Sequence, residues 1–177
     1  SQCPLIYDNM LILLSQAADT GLVAYDKKTG DVIWKTPALG DESYTSPNIV
    51  KIDGEDHLCI VISSTDHVMH RDKPKQKGKV IGFNPQTGEE LWRYDNWECI
   101  ISCANATDAG DNKLLIVGGY DRGATMIQVE KGADGKYATK ELYTTIEFGD
   151  QTKPALFHDG YFYAQYGTNN RRDGLCC

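Results

Sequence analysis

Leu22-Val23-Ala24-Tyr25-Asp26-Lys27-Lys28-Thr29-Gly30-Asp31-Val32-Ile33-Trp34-Lys35 returns 58 residues later as Val80-Ile81-Gly82-Phe83-Asn84-Pro85-Gln86-Thr87-Gly88-Glu89-Glu90-Leu91-Trp92-Arg93. Apolar, small, aromatic, Asp/Asn, Thr-Gly, apolar and Trp-basic positions coincide without a gap. A repeat decides the architecture, because each copy is one unit that buries its faces only against its neighbours. Each copy reads as a β-hairpin, with Leu22 to Asp26 as one strand, Lys27 to Gly30 as the turn and Val32 to Lys35 as the start of the next strand. Gly30 and Gly88 stand where a tight hairpin needs positive φ. Asp26, Asn84, Thr29 and Thr87 carry short polar side chains able to bond the turn's backbone N–H groups. Trp34 and Trp92, four residues after each glycine, are large rings suited to covering a neighbouring sheet.

The spacings Ala24-x-Asp26-x-x-Thr29-Gly30-x-x-x-Trp34 and Gly82-x-Asn84-x-x-Thr87-Gly88-x-x-x-Trp92 resemble the tryptophan-docking motif of the pyrroloquinoline-quinone (PQQ) repeat. That family comprises β-propellers typified by quinoprotein alcohol dehydrogenases. It includes relatives that bind no quinone, such as the outer-membrane assembly lipoprotein of the β-barrel insertion machinery. The resemblance implies an all-β propeller of four-stranded antiparallel blades, with the motif on the last two strands and each Trp packed between blades.

A Ser/Thr-x-Pro opening, also implied by the resemblance, extends the repeat. Thr45-Ser46-Pro47-Asn48-Ile49-Val50 and Leu58 to Ile62 open one blade; Thr152 to Phe157 and Tyr161 to Ala164, around Asp159-Gly160, open another; Pro4 to Tyr7 with Met10 to Leu14 open the first. In the third unit Cys99 to Ala104, Leu114 to Val117 and Thr125 to Glu130 are expected strands, Lys131 to Lys136 an enlarged turn, and Tyr143 stands near the Trp position. The single domain then divides into approximate blades 1–40, 41–96, 97–148 and 149–177, about 44 residues on average, near the length of other propeller repeats. The last breaks off in its third strand. The expectation is a partial propeller of three and a half to four blades, from a family that usually has seven or eight. Open blade edges favour self-association unless covered.

A net charge of −7 argues against a nucleic-acid surface. The one basic cluster, Arg71, Lys73, Lys75, Lys77 and Lys79, reads as a solvated rim loop. No apolar run approaches the ~20 residues of a membrane span. No signal peptide precedes the first strand, as a trimmed chain would show; the resemblance implies a periplasmic or cell-surface location in a bacterium.

Chemistry-bearing clusters are sparse. His67 and His70 open a Lys/Pro/Gly-rich loop, and His57 and His158 adjoin expected turns as ordinary polar residues. Cys176-Cys177 invites comparison with the adjacent-cysteine disulfide of the quinoprotein dehydrogenases, yet the pair falls inside an expected strand and reads as two small buried hydrophobes. Trp97 is left as an aromatic for a rim or funnel ligand. The resulting expectation is a non-catalytic scaffold that binds a protein or ligand at a propeller rim, with no catalytic, cofactor-binding or metal-binding residue and no cofactor. The alternative is a quinoprotein dehydrogenase fragment using PQQ and Ca²⁺ to oxidise alcohols or sugars.

Overall fold

The computed structural model describes residues 2–15, 17–40, 43–65, 72, 74–166 and 174–177. His67, His70, Arg71 and Lys73 lie outside the described residues. Four antiparallel sheets follow one another along the chain, each in simple up-and-down order. The first holds β1 (Leu5–Tyr7), β2 (Met10–Leu14), β3 (Thr20–Asp26) and β4 (Val32–Pro37). The second holds β5 (Asn48–Ile52), β6 (Glu55–Ile62), β7 (Gly78–Phe83) and β8 (Glu90–Trp97). The third holds β9 (Thr107–Asp108), β10 (Lys113–Gly118), β11 (Gly123–Lys131) and β12 (Tyr137–Thr145), and the fourth β13 (Leu156–His158), β14 (Tyr161–Tyr166) and β15 (Gly174–Cys176). The chain is an all-β partial propeller of about four blades.

Turn chemistry sets these hairpins. Each blade's first hairpin closes through an aspartate at positive φ: Asp8, Asp53, Asp111 and Asp159. Gly54, Asn112 and Gly160 follow three of them, also at positive φ. Two consecutive left-handed residues match the right-handed twist of the strands they join. In the repeated motif, Asp26 Oδ1 accepts the N–H groups of Lys28 and Thr29 at 2.8 and 2.9 Å. Those bonds hold its carboxyl below the usual range, with the Thr29 bond the larger cause. Asn84 Oδ1 does the same for Gln86 and Thr87.

Packing between blades explains why the second strands are unbroken apolar runs. Successive side chains of a strand point to opposite faces. Leu58, Ile60 and Ile62 therefore join Met10, Ile12, Leu22 and Trp34 in one core. Cys59 and Val61 face the other way, into a core with Trp92, Trp97, Leu114, Ile116, Ile127 and Val129. Leu115 and Val117 then pass to a third core with Ala155 and Ala164. A middle sheet buried on both faces cannot show polar alternation.

The ladders align the motif across blades. Ile12, Ala24 and Trp34 lie in one row of the first blade, and Cys59, Gly82 and Trp92 in the same row of the second. Leu115, Met126 and Tyr143 form that row in the third. Both indoles are buried, at 9% and 3% exposure, whereas Tyr143 keeps 43%. A Cβ on Gly82 would lie 2.0 Å from the Trp92 ring, so that ring lies directly over the glycine. Met126 fills this space in the third blade, and Tyr143 stays half outside.

The third blade also corrects one expectation. Its first strand is Thr107–Asp108, not Cys99 to Ala104. The earlier segment spends its backbone groups on the second blade: Cys99 O accepts from Ser64 N at 2.7 Å, Ser102 O from Tyr44 N at 2.9 Å, and Ser102 N donates to Ser63 Oγ at 2.9 Å. Groups so used cannot form a ladder with β10.

Candidate functional site

The first strands of successive blades approach one another and are laced by side-chain to backbone bonds. Asn48 Nδ2 donates to Ala106 O at 3.1 Å, Asp108 Oδ2 accepts Lys51 N at 2.7 Å, and Thr107 Oγ1 donates to Ala155 O at 2.7 Å. Asp53 and Asn112 exchange two bonds, of 2.7 and 2.6 Å. Just before these strands, three connecting segments border a cleft of about 570 Å³. Tyr44 and Ser46 come from the second blade, Ile101, Cys103 and Asn105 from the third, and Gln151, Thr152 and Pro154 from the fourth. Ser46 N donates to Asn105 Oδ1 at 3.0 Å, which fixes the amide so that its Nδ2 is the remaining donor. Tyr44 is 54% exposed at the mouth.

Among the described residues the lining therefore offers hydroxyls, amides and a thiol, with no charged side chain. Burial pushes the Cys103 thiol up, which keeps it protonated and unreactive. Such a wall suits neutral hydrogen-bonding groups with some apolar surface, supplied here by Ile101 and Pro154. Among the described residues no three of His, Cys, Asp or Glu are grouped so as to hold a metal ion.

The structure gathers the motif residues between blades, away from this cleft. Trp34 meets the second blade at Gly88, where a Cβ would lie 2.5 Å from the ring. Gln86 Nε2 in the same turn donates to Asp8 Oδ2 of the first blade at 2.6 Å. Trp92 faces the third blade and donates from Nε1 to His57 Nδ1 at 2.9 Å. Gly30 has open space around it, and Thr29 and Thr87 brace their own turns. Trp97 is not a ligand-stacking aromatic. It is wholly buried, its Nε1 donates to Ser102 Oγ at 2.9 Å and Arg122 lies on its ring, so no face is open. Cys176 and Cys177 are free thiols, the first half-buried with its Sγ 3.3 Å from Ala164 O, the second exposed rather than buried.

His57 is likewise no loop residue. It lies buried in β6, meets Tyr137 of the third blade edge to face at 5.0 Å, and bridges the two blades through Trp92. Met10 holds the matching place in the first blade, two residues before the ladder partner of Ala24, and Trp34 Nε1 there has no acceptor. Accepting from Trp92 requires neutral His57, with its proton on Nε2. Burial lowers its pKa, outweighing the opposing pull of Glu55, Asp53 and Asp56; Lys131 lowers it further. With a folded pKa below the unfolded value of about 6.5, this residue stabilises the fold above that pH and the contribution drains away as pH falls below it. Urea unfolding midpoints should thus decline on acidification from about pH 6.5. His57→Gln, which keeps an acceptor, should flatten that decline, and an unchanged slope would remove His57 as its source.

Residues 7–171 match the model of a PQQ-repeat family described as outer membrane protein assembly factor BamB. No curated protein matches the chain.

Proposed function

The chain belongs to the PQQ-repeat family of β-propellers, and from that premise we propose that it is a non-catalytic binding scaffold of the bacterial cell envelope, periplasmic or cell-surface, which receives an extended peptide segment of a protein partner in the cleft between its second, third and fourth blades. The observation that carries this reading is the lining: three blades converge on a cleft with Asn105, Ser46 and Tyr44 to bond a peptide and, among the described residues, no acid or base to move a proton. The family's printed description, an assembly factor for outer-membrane proteins, supports a protein partner and an envelope setting. Among the described residues no helix is long and apolar enough to cross a membrane.

The quinone alternative draws no support from these residues. A quinone and its calcium need a stacking aromatic, carboxylate ligands and, in the family's enzymes, a vicinal disulfide. Here Trp97 is sealed in a core, the described lining of the cleft carries no carboxylate, and the neighbouring cysteines are free. Protein supplied with PQQ and Ca²⁺ should not reduce a dye with alcohols or sugars; sustained turnover would reverse the assignment.

A displayed library of unmodified peptides tests the cleft. Binders selected on the wild type should be lost on Tyr44→Ala and on Thr152→Arg, both at exposed positions, with melting temperatures unchanged. Binders indifferent to both substitutions would place the interaction elsewhere.

A further inference from the structure

We propose that a second pocket, built around Arg122, binds a carboxylate of a peptide. It adjoins the cleft, with Ile100 next to Ile101 and Gln151 Nε2 donating to the Tyr120 hydroxyl at 3.0 Å, but its charge sets it apart and it does not depend on that cleft's function. Arg122 sits in the Gly119–Gly123 turn between β10 and β11, where Tyr120 and Asp121 both take positive φ and Arg122 N donates to Gly119 O at 3.1 Å. Its guanidinium is fixed in place. Cζ lies 4.8 Å from the centre of the Trp97 ring, and Nη2 donates to Thr125 Oγ1 at 3.1 Å. Yet its charge is unanswered: Arg122 forms no ion pair among the described residues, and its buried Nε meets no acceptor. Glu141 is held below the usual carboxylate range chiefly by the Tyr94 hydroxyl and least by Arg122, and its oxygens are taken up by Tyr94 and Thr144.

A fixed cation without a carboxylate bonded to it leaves room for a ligand to supply one. Arg122 borders a pocket of about 250 Å³ that also receives Lys77, Glu98 and Ser64. Lys77 and Glu98 pair at 2.9 Å, so among the described residues the lining retains one net positive charge on a chain whose total is −7. Guanidinium geometry matches both carboxylate and phosphate. The presence of Glu98 selects between them, since a dianion would meet its repulsion while a monoanion balances the single excess charge. The volume is below the ~300 Å³ at which pockets for drug-sized ligands begin, which suits a carboxylate on a short stem. The ligand is therefore a chain-terminal carboxylate or an acidic side chain of a peptide.

Trp97 lies under the guanidinium, so its indole N–H resonance reports binding directly. Titrations with N-acetylglycine, with N-acetylaspartate α-amide, with N-acetylglycinamide and with inorganic phosphate separate the possibilities. Either acid should move the Trp97 signal saturably, and the stronger of the two identifies the carboxylate source; the neutral amide should not move it. Arg122→Gln should weaken the acids about tenfold or more through loss of a charge-assisted bond. Glu98→Gln should tighten them by about threefold or more by removing the competing charge, a gain that misfolding cannot mimic. The proposal is overturned by an equal response to acid and amide, by no saturable shift, by phosphate binding tighter than both acids, or by unchanged affinity in either variant. Should Arg122→Gln fail to fold, the Glu98→Gln titration decides alone.

Discussion

Trp92→Ala is expected to lower the unfolding free energy by about 3–5 kcal/mol. Two effects add. The ring is 3% exposed and packs in the core shared by the second and third blades, so its removal leaves a cavity that neither sheet can close alone. It also strips His57 Nδ1 of its donor in a buried site, and an unsatisfied buried acceptor carries its full desolvation penalty. Trp34→Ala lacks the second effect, because Trp34 Nε1 has no partner to abandon. It should fall at or below the lower end of that range. Trp92→Phe separates the terms: much of the apolar contact survives and only the hydrogen bond is lost, at about 1–3 kcal/mol. Urea titrations of the three variants measure this ordering. Equal losses for Trp92→Ala and Trp34→Ala, or a Trp92→Phe protein as stable as the wild type, would mean that the His57 bond contributes nothing.

That asymmetry marks where sequence reading ends. The all-β class and the hairpin of the repeat were legible because turn chemistry is local: Asp26 and Gly30 lie within one turn of the residues they bond. The role of His57 is not local. It depends on β6 starting at Glu55, so that His57 lies within the strand opposite Val50, and on the third blade bringing Tyr137 against its ring. Trp97 was misplaced for a related reason. Alternation from Trp92 and Tyr94 points to Asn96 as the next inward residue, but β8 carries an extra residue opposite Gly78 to Val80, and the bulge turns Trp97 inward. Gly78, facing it in the ladder, is the trace in the sequence: a Cβ there would lie 2.9 Å from Trp97 O. The Cys99 to Ala104 segment has the composition of a strand, and only the neighbouring blade's claim on its backbone reveals otherwise. The cleft leaves no mark in the sequence because its described residues come from three segments and none is unusual alone.

Gly30→Ala and Gly88→Ala should differ sharply although the two glycines occupy the same place in the motif. Both take positive φ, 80° and 71°, so alanine brings a backbone cost of about 1–2 kcal/mol at either site. At Gly30 nothing lies within reach of the new Cβ. At Gly88 the Cβ would stand 2.5 Å from Trp34 Cε3 and 2.8 Å from Cδ2, and an indole wedged between two sheets cannot swing aside as a flexible side-chain tip would. Overpacking of this kind adds about 1–3 kcal/mol. Gly88→Ala should thus cost about 3 kcal/mol or more, and Gly30→Ala about half of that. The decisive measurement is a double-mutant cycle. In a Trp34→Ala background the clash disappears and Gly88→Ala should cost no more than Gly30→Ala, whereas the Gly30→Ala penalty should be the same with or without the indole. A coupling of about 1 kcal/mol or more between positions 34 and 88 would establish that the tryptophan of one blade is seated on the turn of the next. Strict additivity at both glycines would refute that seating, and with it the physical reason for the Thr-Gly turn that faces Trp34.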